Sequence, residues 1–194
     1  FLFSITAKGR YLTSNRTKKL YSSKTLGSWQ TELNKLFPEG TFNFLKANWE
    51  KFPVGILTSN DTCLVFSFEY NSVKTLFTGD STGKAFDHYV GQCTNAKTKN
   101  EDCDYNREVI AGTHIFVMPH HGSAQNESWR WTLNVTKESP NLLATIINVD
   151  PNGSPYKHPR AWIRDITWPP SMEGEPHNIA YNRGETIFYL EISD

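Results

Sequence analysis

The sequence predicts an α/β fold built on buried, mixed sheets. Short apolar runs at 63–70, 73–77, 115–117 and 141–149 have the length and the β-branched and aromatic content of buried strands. Stretches with helical spacing of apolar residues alternate with them, the pattern of a layered α/β domain. The third observation is Asn71-Ser72, which joins two of the runs closely enough for a hairpin, so the sheet is not purely parallel.

Along the chain, residues 1–24 read as short strands and solvated turns, with Lys8-Gly9-Arg10 and Asn15-Arg16-Thr17-Lys18-Lys19 as turn signals. Leu26, Trp29, Leu33, Leu36 and Phe37 fall at helical spacing, with Thr25 or Ser28 available as a cap and Pro38-Glu39-Gly40 as the stop. A strand is expected over 52–57, then the turn Asn60-Asp61-Thr62, then the hairpin. A helix over 84–92 follows. After the loop 94–102, residues 107–111 and 115–117 lead into a histidine pair. The run 141–149, with Leu142, Leu143, Ile146, Ile147 and Val149, is a buried strand. His158-Pro159 opens a helix near 160–166, because proline suits the first turn, and Trp168-Pro169-Pro170 ends it. The last strand is expected over 185–192.

Composition narrows the function classes. The chain has 194 residues, enough for one domain of ordinary size, and its 38% hydrophobic and 13% aromatic content can form a real core. Lys+Arg and Asp+Glu both number 20, so the formal net charge is zero and a strong general grip on nucleic acid is not expected. No apolar run approaches the roughly 20 residues of a membrane span. The chain opens on Phe1-Leu2-Phe3, which reads as a core strand entered midway, so we expect the C-terminal part of a longer precursor.

Cys93 and Cys103 bracket a polar loop with no packing residues of its own, and a disulfide closing it is expected, worth about 3 kcal/mol by loop entropy. Cys63 reads as a small core residue, or as the partner of a cysteine elsewhere in the precursor. Glycosylation sequons begin at Asn15, Asn60, Asn126 and Asn134; a fifth, at Asn152, is followed by the unfavourable Pro155. Sequons and disulfide together point to a secreted protein.

Two places carry metal-type ligands just past the end of a strand. Thr78-Gly79-Asp80 follows the run 73–77, and Met118-Pro119-His120-His121-Gly122-Ser123 follows the run 115–117. An Asp and a His pair held there suit a hydrolytic zinc or similar site. No histidine precedes His88, so part of any such ligand set lies outside this chain. His88, His114 and His177 read as surface or helix-face residues. Trp129-Arg130-Trp131, Trp162 and Trp168 read either as exposed aromatic segments suited to an interface or, in so aromatic a chain, simply as core.

Taken in order, Asn60-Asp61-Thr62-Cys63-Leu64-Val65-Phe66, Leu76-Phe77-Thr78-Gly79-Asp80, Val117-Met118-Pro119-His120-His121-Gly122-Ser123 and His158-Pro159 resemble the metallo-β-lactamase fold superfamily. The closest likeness is to the branch containing the hydrolase domain of the competence protein ComEC. The match covers residues 52–192; residues 1–51 belong to the same single domain without a matching motif. The resemblance implies an αββα sandwich missing its N-terminal portion, with a metal site on the sheet edges. It implies that Asp80 bridges two zinc ions (manganese being the other candidate), that His121, or else His120, binds metal, that His158 stabilises a transition state, and that Ser123 contacts a phosphate. The family's His-x-His-x-Asp-His motif has no match here, and Thr58 or Ser59 stands where a middle histidine often lies. The implied activity is hydrolysis of a phosphodiester or ester, with the missing ligands on an N-terminal chain of the same precursor. The other reading is a catalytically inactive secreted binding or structural module that keeps the fold.

Overall fold

The structure is a computed structural model, and it describes residues 23–46, 58, 60–91, 102–123, 127–149 and 179–183. Helix α1 (Ser23–Leu36) buries Leu26 and Leu33, two turns apart on one face. It ends before Pro38, as its sequence requires. Thr25 and Ser28 both lie inside it, so neither caps it: the helix starts earlier than the apolar spacing implied.

Among the described residues the sheet has six strands in sequential order: β1 (Gly40–Phe44), β2 (Phe66–Tyr70), β3 (Val73–Phe77), β4 (Ile115–Val117), β5 (Ala144–Val149) and β6 (Ile179–Arg183). The first three pair antiparallel and the rest join in parallel, which makes the sheet mixed. Asn71 and Ser72 both take left-handed backbone angles, the requirement of a two-residue hairpin turn. Helix α1 covers the edge at β1. Asn34 accepts from the Phe42 N–H at 2.6 Å and donates to its carbonyl, and Gln30 accepts from the Phe44 N–H at 3.1 Å. A sheet edge so occupied offers few groups for pairing with another chain.

Alternation along the strands sends side chains into two cores. On one face Phe42, Phe44 and Phe66 pack under Leu26 and Leu33 of α1, with Phe68 and Phe77 against them. On the other face Leu76, Phe116 and Ile147 pack beneath three helical pieces. These are α2 (Gly83–Phe86), which runs on as a wider π turn (Asp87–Gly91), α3 (Cys103–Ile110) and α4 (Trp129–Glu138). Layering helix, sheet and helix is what a sheet apolar on both faces demands.

Several expectations change. Residues 107–110 belong to α3, where Val109 and Ile110 are buried on its inner face. Trp131 is not exposed: it is 0% accessible, and its indole N–H donates to the Thr82 carbonyl at 3.1 Å. The strand expected from residue 141 starts at Ala144, and Leu143 before it is 48% exposed. Strand β1 was not anticipated, although Phe42 and Phe44 alternate with polar neighbours. Cys103 is disulfide-bonded and Cys63 is in no disulfide. The expected strands at 52–57 and 185–192, the helix at 160–166, Trp162, Trp168, Cys93, Asn15, Asn126 and His177 lie outside the described residues.

Leu76 is fully buried at the centre of the larger core. Leu76→Ala should lower unfolding free energy by about 2–5 kcal/mol, read as a lower urea midpoint with an unchanged slope.

Candidate metal-binding site

Strands β3 and β4 run parallel with Phe77 opposite Val117. The two chains therefore leave the sheet side by side at their carboxyl ends, the place where α/β sheets receive ligands. Two hydrogen bonds fasten the departing loops. The Thr78 hydroxyl donates to the Val117 carbonyl at 2.7 Å. The His120 N–H donates to the Gly79 carbonyl at 3.0 Å.

Beyond those bonds the loops turn sharply. Gly79 takes φ +55°, and His120 and His121 take φ 50° and 55°. Two successive non-glycine residues in this region cost of order 1–3 kcal/mol each. Such strain persists only where the surroundings enforce it, and it concentrates at functional loops. Pro119 opens the turn, and the Ser123 N–H closes it on the His120 carbonyl at 2.8 Å.

The outcome is a close pair: His121 Nε2 lies 3.4 Å from Asp80 Oδ1, both partly open to solvent. Donors about 2.1 Å from one zinc ion at a tetrahedral angle stand about 3.4 Å apart, so this edge fits. His120 stands beside them, half-buried. Burial lowers its pKa below the ordinary histidine value; the Asp80 carboxylate pulls the other way, and His121 adds to the lowering. A neutral imidazole is the form that binds metal.

Asp80 does not cap the following helix. Thr82 does, its Oγ1 accepting from the Ala85 N–H at 3.2 Å. The Thr82 hydroxyl in turn donates to Asp61, a 3%-exposed carboxylate that also accepts from the Thr58 N–H (2.6 Å) and hydroxyl (2.9 Å). A buried carboxylate satisfied in this way fixes the turn to the helix start. In the sequence Asn60-Asp61-Thr62 reads as a turn, a sequon and part of the family-like segment 60–66, and none of these readings gives Asp61 this role. Thr78 stands in the Thr78-Gly79-Asp80 motif, but its bond to Val117 is likewise not foreseen. A hydroxyl residue directly before Gly-Asp was the available signal for one, and an acid flanked by Thr58 and Thr62 for the other.

The remaining expected residues separate. Ser123 is fully buried behind the histidine turn. His158 lies outside the described residues. His114 is structural: its Nδ1 accepts from the Lys74 N–H at 3.1 Å, and its carbonyl receives the Leu143 N–H at 2.7 Å. His88 sits in the π turn that follows α2, on the helix segment predicted for it. Among the described residues, no group of three or more His, Cys, Asp and Glu side chains converges on one point. Among them, no helix is long and apolar enough to cross a membrane. No protein-family model matches the chain, and no curated protein matches it.

Two outcomes are expected. Thr78→Val should destabilise by about 1 kcal/mol, because the fully buried Thr78 side chain loses its hydrogen bond to the part-buried Val117 carbonyl; denaturant titration reads this. His120 should titrate below about 6.5 by NMR. The unfolded chain then takes up the proton first, so the stability His120 contributes is full above its unfolded pKa and is lost as pH falls through the lower folded value.

Proposed function

We propose that this chain is the C-terminal part of a metal-dependent hydrolase with the metallo-β-lactamase αββα fold, similar to the ComEC-like branch. One observation carries the reading: Asp80 and His121 meet at metal-ligand spacing on the carboxyl ends of adjacent parallel strands. Support for the fold comes from the mixed α/β sheet and from the helices packed on its Leu76, Phe116 and Ile147 face.

The donors present fit one edge of a zinc or manganese site. A catalytic zinc takes three protein ligands, so the others come from a preceding part of the precursor, on the same or a separate chain. The chemistry supplied by two ions at such a centre is Lewis acidity, which polarises a phosphodiester or ester and acidifies a water. The residues of this chain do the rest. Asp80 presents two oxygens and can serve two cations. His121 presents Nε2, with His120 as the adjacent donor. The Thr78 and His120 hydrogen bonds hold these groups in place before any ligand arrives. His158 is assigned the stabilisation of negative charge on the reacting group.

A second reading is favoured by the donor set itself. Two converging donors among the described residues also suit a secreted module that keeps the fold and binds without catalysis.

Metal analysis of the native, intact material decides between them. The hydrolase should carry about two zinc or manganese ions per chain, as its centre requires, together with a polypeptide bearing further histidines. Asp80→Ala should lose metal and all hydrolysis of bis(p-nitrophenyl) phosphate. Metal-free material with this chain as the only polypeptide would leave the binding module.

A further inference from the structure

A cleft of about 590 Å³ lies among three helical elements, lined by Phe86 and Val90 from α2 and the π turn, Arg107 and Glu108 from α3, and Asn134 and Lys137 from α4. That volume is in the range of small-ligand sites. Its floor is apolar: Phe86 and Val90 are 9% and 3% exposed. Its rim carries Arg107 and Lys137 against Glu108 and Glu138, so the formal charges cancel. An apolar floor inside a balanced polar rim suits a neutral, hydroxyl-rich ligand with one apolar face. It gives an ion of either sign no net attraction.

Asn134 is where such a ligand would be attached. It begins the sequon Asn134-Val135-Thr136. The neighbouring positions are committed to the fold: Val135 is fully buried, and the Thr136 hydroxyl donates to the Thr132 carbonyl at 2.9 Å. Asn34 and Asn106, by contrast with Asn134, spend their amides on backbone groups, at Phe42 and Lys46. The Asn134 amide makes no hydrogen bond with another described residue and borders the cleft. The disulfide at Cys103 is consistent with passage through an oxidising compartment, where sugar transfer takes place on the chain before it folds.

We propose that Asn134 carries an N-linked glycan whose first sugar seats in this cleft, its apolar face on Phe86 and Val90 and its hydroxyls toward the charged rim. The bond formed is between the Asn134 amide nitrogen and the anomeric carbon of a lipid-linked sugar donor, with the diphosphate carrier as leaving group and the amide proton released. The seated sugar acts as a wedge that ties α4 to α2 and α3.

The test uses the protein secreted from a eukaryotic host, in three forms: the native glycoform, the form trimmed enzymatically to one sugar, and Asn134→Gln. Peptide mass spectrometry should find glycan on Asn134. The first two forms should share one Tm and the same amide-exchange protection over 86–90, while Asn134→Gln loses about 2–4 °C and that protection. An unmodified Asn134 in the secreted protein overturns the proposal. So does an Asn134→Gln variant whose Tm and protection equal those of the glycoform, since the sugar would then project into solvent.

Discussion

The in-register pairing of β3 with β4 sets the position of nearly everything else. With Phe77 opposite Val117, the chains reach the sheet edge at the same level. Asp80 is then three residues out on one loop and His121 four residues out on the other. A slip of one residue would turn either Leu76 or Phe116 out of the larger core and carry the acid and the imidazole apart. The core therefore enforces the spacing of the polar pair, although neither Asp80 nor His121 contributes to it.

Support for the acid-bearing loop comes from behind. Asp61 grips Thr82, and the carbonyl of Thr82 is in turn held by the Trp131 indole. Arg130, the neighbour of that tryptophan on α4, reaches Asp87 and Glu127. Gly83 lies so close to Glu127 that an added Cβ would stand 2.5 Å from its carbonyl oxygen, so only glycine fits. The start of α2 is thus locked from the turn at Asp61 and from α4 alike. A loop whose geometry must not reorganise is best built on contacts of this kind.

Much of this was legible in the sequence because it rests on local chemistry. Asn71-Ser72 announced the hairpin, Pro38 the end of α1, and the two ligand motifs the ends of strands. What was hidden depends on partners far away in sequence. Trp131 could be read as a surface aromatic because its partner, the Thr82 carbonyl, is 49 residues distant. Nothing in the sequence singles out Asn106, yet its side-chain amide bonds both backbone groups of Lys46, as a neighbouring strand would. The helix over 103–110 was obscured because its first turn follows directly on a polar loop. His114 could not be recognised as a structural residue until Lys74 lay beside it.

The left-handed pair His120 and His121 also limits how this loop can vary. Glycine would relieve the backbone at either position, and asparagine or aspartate would be tolerated there, whereas valine or isoleucine would be excluded. Drift under selection for stability alone would therefore carry both positions toward glycine. On the proposed metal-site reading, the two imidazoles standing there give up conformational comfort for side-chain chemistry, and relatives that lost that chemistry would be recognisable first by glycines at 120 and 121.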